Sequence, residues 1–97
     1  MSKNDYREVK KILEENKEDA LKLNNKAILE ISEAFMKLYK ITDDFNYETD
    51  ALSLKKYAEA LEIHKGKDIY EVVVEDANRD IPMFIESLEI LLREHIE

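Results

Sequence analysis

The chain has no cysteine and no tryptophan, and it has only one glycine and one proline. Without cysteine there is no disulfide framework, no thiol nucleophile and no cysteine-ligated metal. One glycine cannot build a phosphate-binding glycine-rich loop, and so few turn residues leave little for β-hairpins. No apolar run approaches the roughly 18 residues of a membrane span, and no apolar leader follows Met1. We therefore expect a cytoplasmic all-α protein.

Acidic residues dominate the charge of the 97-residue chain, which is −8 at neutral pH with an isoelectric point near 4.8. The length fits a single helical domain over 1–97. A surface of this charge repels nucleic-acid phosphates and anionic lipid. The charge therefore favours a partner that is another protein, possibly a basic one, and makes nucleic acid or a membrane an unlikely partner.

The longest periodic stretch is Lys17–Ile41, which has neither glycine nor proline. Its apolar residues recur in steps of three and four, as in a helix with one buried stripe, and Asn24 is the single polar break. The stripe consists of Ala20, Ala27, Ile28, Ile31, Phe35 and Leu38. The pattern predicts one long central helix within a compact bundle of four to five helices.

The boundaries of the other helices follow from capping signals. Asn16 is a candidate cap that would separate a first helix from the central one, although a single kinked helix over 1–41 is the alternative. The stretch 42–50, TDDFNYETD, is typical of a loop, with Phe45 and Tyr47 closing the end of the core. A further helix is then expected from about residue 54, capped by Asp50 or Ser53.

The second half of the chain contains the single glycine and the single proline. Gly66 is expected to be a left-handed residue that ends the preceding helix. The stretch 68–76 begins like a helix, but its run of three valines leaves a hairpin as the alternative. Asp80 and Pro82 are expected to cap and start a last helix that reaches the C-terminus.

Paired acids offer one route to chemistry. Glu30 and Glu33 form an ExxE motif that resembles the first motif of small all-helical nucleotide pyrophosphohydrolases. This resemblance implies magnesium or manganese bound by acids on two helices. The family's second motif, ExxD, is absent here, and Glu71 and Glu75 are the nearest substitutes, at a different spacing. A metal-dependent hydrolase using these four glutamates is an alternative to a solvated helix face.

The stretch 53–71, with Leu54, Tyr57, Ala58 and Leu61, resembles a helix-turn-helix motif. The resemblance implies DNA binding, with the second helix in the major groove. Glu62 occupies the position at which the motif uses glycine, and the would-be reading helix is mostly acidic. Its charges are Glu71, Glu75, Asp76 and Asp80 against Lys67 and Arg79. Like charge facing phosphate disfavours this second alternative.

Three further titratable residues fall beside apolar stripes. Asp76 projects into an apolar arc, so it needs either a basic partner, solvent, or a raised pKa. His64 and His95 lie on inner stripes near helix ends, where histidines commonly serve as core or cap residues. Neither histidine belongs to a recognised metal motif.

Apolar residues outside the helix stripes are the remaining signal. Gathered together they would form a contact patch, whereas scattered singly they are ordinary surface. They are Leu23, Met36, Ile63, Met83 and Ile90. We therefore predict a non-catalytic, cofactor-free protein that acts by protein–protein interaction as a regulatory, adaptor or inhibitor module, and that forms a homodimer.

Overall fold

Four α-helices and three connections make up residues 3–96, the part of the chain that this computed structural model describes. The helices are α1 (Lys3–Leu21), α2 (Asn25–Thr42), α3 (Phe45–Ile63) and α4 (Tyr70–Ile96). The all-α prediction is therefore confirmed, with four helices. None of the helices in the described range has the long apolar run that a membrane crossing needs.

The predicted break at Asn16 is wrong, because α1 continues through this residue to Leu21. The Asn16 side chain donates from Nδ2 to the Ile12 carbonyl oxygen at 2.8 Å, so it bonds within the helix rather than capping one. Asn16 also falls on the same helical line as Val9, Leu13 and Ala20, which are buried. Burial of this stripe outweighs the local preference of asparagine for a cap.

The single long central helix is also wrong, because the chain turns at residues 22–24. The Asn24 N–H bonds the Asp19 carbonyl at 3.0 Å, and the Leu23 N–H bonds the Ala20 carbonyl at 2.9 Å. This pair of bonds is a Schellman motif, with Leu23 in the left-handed position at φ 65°. Asn24 then caps α2 by accepting from the Ala27 N–H at 3.0 Å.

The expected loop over 42–50 is reduced to two aspartates. Asp43 adopts a left-handed conformation and ends α2, and Asp44 caps α3 by accepting from the Asn46 N–H. α3 therefore starts at Phe45, about nine residues earlier than predicted. Phe45 is exposed, so it does not close the core, whereas Tyr47 packs partly against it.

Gly66 has φ +80°, as predicted, in the turn between α3 and α4. The stretch 70–76 is helical, so the hairpin alternative is wrong. The expected restart at Asp80–Pro82 is wrong as well, because α4 runs unbroken over 27 residues with Pro82 inside it. Proline has no N–H, so α4 lacks the bond that would otherwise reach the Asn78 carbonyl.

The helices alternate in direction, and each packs on its neighbours around one core. Lys37 of α2 lies 4.0 Å from Glu8 of α1, and Asn25 bonds Glu62 of α3 at 2.8 Å. The Tyr6 ring stacks on His95, 4.5 Å between centroids, which joins α1 to the end of α4. The predicted stripe of α2 is buried in the core between these helices.

Within the described part of the chain, one polar residue, Ser32, is buried in this core. Ser32 donates its hydroxyl to the Ala51 carbonyl oxygen at 2.7 Å. This bond joins α2 to α3 and satisfies the hydroxyl, since a buried polar group without a partner costs about 1–3 kcal/mol. The close packing of α3 on α2 therefore fixes the position of α3, including its outward face.

Candidate functional site

Exposed large apolar side chains are distributed unevenly over the described part of the chain. Leu21 of α1 and Leu29 of α2 are the two least exposed of the nine. The other seven lie on α3, on α4 or in the turn between them. They are Phe45, Leu52, Ile63, Ile69, Val72, Met83 and Ile90. Single exposed apolar residues are normal, but a concentration on one side of a small protein marks a contact surface.

α3 is apolar on two opposite faces. Its inward face buries Ala51, Leu54, Ala58 and Leu61. On the outward face Phe45, Leu52 and Ile63 are 67%, 51% and 59% exposed. These three residues fall within about 20° of one line along the helix, at about 100° per residue. We call them the α3 stripe.

α4 carries a second outward line. Val72, Met83 and Ile90 are 54%, 63% and 43% exposed, and they point away from the buried Ile81, Ile85 and Leu88. We call these three exposed residues the α4 stripe. Seven acidic residues and two arginines lie in Tyr70–Ile96, which gives this helix −5 of the total charge of −8. The α4 stripe is therefore an apolar line on a strongly acidic helix.

A shallow groove of about 330 Å³ separates the two stripes. Its walls are Ser53, Lys56, Tyr57 and Ala60 of α3 with Val73 and Asp76 of α4. Lys56 lies on the line of the α3 stripe, and Asp76 follows Val72 by one helical turn. The two stripes therefore lie on either side of this groove, and we call the outward surface of α3 and α4, with the groove between them, the α3–α4 face.

A polar cluster fixes α4 against α3 at this groove. The Tyr57 hydroxyl donates to the Asp80 carboxylate, and the Arg79 guanidinium contacts Asp80 Oδ1 at 2.9 Å. Arg79 also lies 3.2 Å from Asp76, whose side chain is partly exposed, so Asp76 has both a basic partner and contact with solvent. Burial and then the bond to Asp80 raise the pKa of Tyr57 to about 12. Arg79 and Tyr57, in that order, lower the pKa of Asp80.

We expect this cluster to lose its stabilising effect at both extremes of pH. The pKa of Tyr57 is raised from 10.0, so its contribution is complete below pH 10 and is lost as the pH rises to about 12. The contribution of Asp80 depends on pH in the opposite direction. Because the pKa of Asp80 is lowered from 3.8, its stabilising contribution is present above pH 3.8 and is lost as the pH falls below that value. Ultraviolet titration of tyrosinate should show a step near 12 that shrinks by one tyrosine in Tyr57→Phe. The ionisation of Tyr47, whose pKa is also raised by burial, should be unaffected by this substitution.

Tyr39→Phe is the control for this titration, since Tyr39 lies on α2, away from the cluster. The step near 12 should persist in that variant. An undiminished step near 12 in Tyr57→Phe itself would show that the cluster does not hold the Tyr57 proton.

The five residues predicted as an interface fall into two groups. Ile63, Met83 and Ile90 are exposed on the α3–α4 face. Leu23 and Met36 are half-buried and pack against the core, Leu23 in the turn after α1. The sequence reading missed Phe45, Leu52 and Val72. The spacing of seven residues from Phe45 to Leu52 and of eleven from Leu52 to Ile63 is a helical repeat that could have revealed the α3 stripe.

The glutamates of the metal-site alternative lie on α2 and α4. Glu30 is half-buried, and Glu33, Glu71 and Glu75 are exposed. Among residues 3–96, no three histidine, aspartate or glutamate side chains gather closely enough to hold a metal ion. The four glutamates therefore do not form one cluster.

The two histidines lie at helix ends. His64 is the C-cap of α3, and its backbone N–H bonds the Ala60 carbonyl. His95 is exposed rather than inward-facing, and its Nδ1 lies 3.0 Å from the Leu91 carbonyl oxygen. Its ring stacks on Tyr6, so it serves to join α1 and α4.

Comparison with known proteins adds no relative to this description. The chain matches no protein-family model, no curated protein and no solved structure. The function is therefore argued from the geometry and charge of the α3–α4 face alone.

Proposed function

We propose that this protein is a small acidic binding module that acts by protein–protein interaction and carries out no catalysis. In this proposal the α4 stripe receives a basic amphipathic helix of another protein. The observation that carries the proposal is the concentration of seven of the nine exposed large apolar residues on α3, α4 and their turn. A surface of this kind binds its partner mainly by burying apolar area.

The apolar line on α4 suits a helical partner. Val72, Met83 and Ile90 are separated by eleven and seven residues, so they form a row on one side of a helix about 40 Å long. Helical partners present anchors at i, i+3, i+4 and i+7, and such a row can pack between them. Docking onto α4 leaves the buried core residues of the bundle undisturbed.

The acidic residues beside the α4 stripe favour a basic partner. Asp76, Glu86 and Glu94 lie within about 50° of the line of the α4 stripe, with Arg79 as the one basic residue among them. Such a rim speeds the encounter with a basic helix and disfavours an acidic one. We place the module in the cytoplasm, where a chain without cysteine is at no disadvantage because disulfides are rare there.

Replacing Met83 with glutamate is expected to weaken binding of a basic leucine–lysine helical peptide about tenfold. The substitution removes the central apolar anchor, and the new carboxylate would by itself attract the lysines, so a loss of binding reports the apolar contact. The exposed site leaves stability within about 0.5 kcal/mol. Fluorescence anisotropy of the labelled peptide measures the change. Binding should also weaken as ionic strength rises.

Leu29→Glu is the matched control, because it places the same charge at an exposed leucine of α2. It should bind the basic peptide as the unmodified protein does, and a leucine–glutamate peptide should bind neither. Binding that is unchanged or tighter in both Met83→Glu and Leu29→Glu would show that general charge attraction, and not the α4 stripe, holds the peptide. The same two variants then distinguish specific partners from non-specific ones among proteins recovered from the source cells. A specific partner is lost with Met83→Glu and retained with Leu29→Glu.

A further inference from the structure

The α3 stripe remains without a partner when a basic helix occupies α4. We propose that it pairs, antiparallel, with the α3 stripe of a second copy of this chain. This proposal goes beyond the binding function and does not rest on it, because the two stripes lie on different helices. α3 is suited to this role because the α2–α3 pair holds it firmly from behind, through packing and the Ser32–Ala51 bond.

Charge decides which helix can pair with its own copy. Two α4 helices brought together would each contribute a net charge of −5, which repels. The outward side of α3 is different, because two lysines are followed by two glutamates within eight residues. They are Lys55, Lys56, Glu59 and Glu62, all exposed. Glu48 adds one further acidic residue on this side, so its net charge is −1, against −5 on α4. Such a pattern of lysines and glutamates can be complementary to itself.

The register follows from matching both the apolar and the charged residues. With the two-fold axis between residues 57 and 58, Leu52 lies opposite Ile63 of the second copy, while Phe45 falls opposite position 70, beyond the end of α3. The same axis sets Lys56 opposite Glu59 of the second copy, and Lys55 between Glu59 and Glu62 of that copy. Because the interface is isologous, each of these pairs occurs twice. Parallel pairing would instead set each lysine against the same lysine.

The contact is limited in area, which sets the expected strength. A standard interface takes about 800 Å² from each partner. That would be about one eighth of the 6368 Å² accessible surface of this chain. One helix pair supplies less than this, so we expect a dimer that dissociates in the micromolar range.

Sedimentation equilibrium from micromolar to millimolar concentration tests the pairing. The unmodified protein should pass from monomer to dimer over this range. Ile63→Glu should raise the dissociation constant at least tenfold, whereas Met83→Glu on α4 should leave it unchanged. A monomer at every concentration, or a dimer indifferent to Ile63→Glu, would overturn the proposal. Circular dichroism during unfolding checks that each variant is folded.

A charge exchange tests the antiparallel register separately. Lys56→Glu and Glu59→Lys should each weaken the dimer several-fold, because each sets like charges opposite one another. The double variant restores the pairing with the signs reversed, so its dissociation constant should return toward that of the unmodified protein. Additive losses in the double variant would rule out contact between these two positions.

Disulfide trapping gives the direction of the helices directly, since the chain has no cysteine of its own. Leu52→Cys and Ile63→Cys proteins, mixed and oxidised, should form the mixed disulfide in preference to either homodimer. Preferential linkage of Leu52→Cys to itself would indicate parallel helices and overturn the register. Binding of the basic peptide by these dimers is measured independently, so failure here leaves the α4 proposal intact.

Discussion

Replacing Phe35 with alanine is expected to destabilise the bundle by about 3–5 kcal/mol. Phe35 is buried on α2, where its ring meets Phe84 of α4 edge-on at 6.2 Å between centroids. It also stacks near Tyr47 of α3, 6.5 Å between centroids. One side chain therefore joins three helices, and its removal leaves a cavity that three separate backbones would have to move to fill.

Denaturant unfolding at low protein concentration measures this loss as a fall in the midpoint at an unchanged slope. Phe45→Ala is the matched control, because it removes the same side chain from an exposed position and should change stability by no more than about 0.5 kcal/mol. Since domains of this size are stable by only about 5–15 kcal/mol, the Phe35 variant is expected to be close to unfolding. A loss below about 1 kcal/mol would show that Phe35 is not the junction of the core.

Replacing Pro82 with alanine is expected to act in the opposite direction and stabilise the protein by about 2 kcal/mol. Proline inside a helix costs about 3 kcal/mol relative to alanine, because it removes a backbone bond and its ring meets the carbonyl four residues earlier. Part of the gain is lost, since alanine gives the unfolded chain more freedom by about 0.4–1 kcal/mol. Pro82 is exposed, so the new side chain disturbs no packing.

Thermal unfolding should show this gain as a rise of about 8–16 °C in Tm, at about 4–8 °C per kcal/mol for a domain of this size. Ser87→Ala, also exposed on α4, is the control and should shift Tm only slightly. A lower Tm in Pro82→Ala would show that the packing of α4 depends on the local distortion that proline imposes. In that case Pro82 would also determine how the neighbouring Met83 is presented.

The buried faces of this fold could be predicted from the sequence because burial follows helical spacing. The stripe through Ile28, Ile31, Phe35 and Leu38 is buried as predicted. Gly66 was predictable for a different reason, since a left-handed residue favours glycine and the chain has only one. These features depend on strong and local preferences.

The helix ends could not be predicted as well, because the residues that form them are not the usual ones. Leucine is an unfavourable residue at φ 65°, yet Leu23 adopts it and ends α1 while packing against the core. Asn24 is the N-cap of α2, although in the sequence it stands as the single polar residue within a stripe that is apolar on both sides of it. Pro82 predicts the start of a new helix, whereas α4 continues through it because tertiary packing on both sides of Pro82 keeps the chain helical.

The candidate face was only partly predictable from spacing. Ile63, Met83 and Ile90 depart from the buried stripes of their helices, and that departure is visible in the sequence. Phe45 was hidden because it lies in the stretch 42–50, which resembles a loop, and Leu52 lies between that stretch and the predicted start of the next helix near residue 54. Which exposed residues share a surface depends on the neighbours of each helix, and that needs the packing of α3 against α4.

The stacking of Tyr6 on His95 has a consequence for how this protein can be tethered. The contact places the start of α1 and the end of α4 at one end of the bundle, beside the turn that precedes Phe45. A segment or label joined at the start of α1 or at the end of α4 therefore extends from this end of the bundle, while the Gly66 turn and Ile63 lie at the opposite end. In the antiparallel pair the two tethering ends would point in opposite directions, so the assembly would hold its attachments apart.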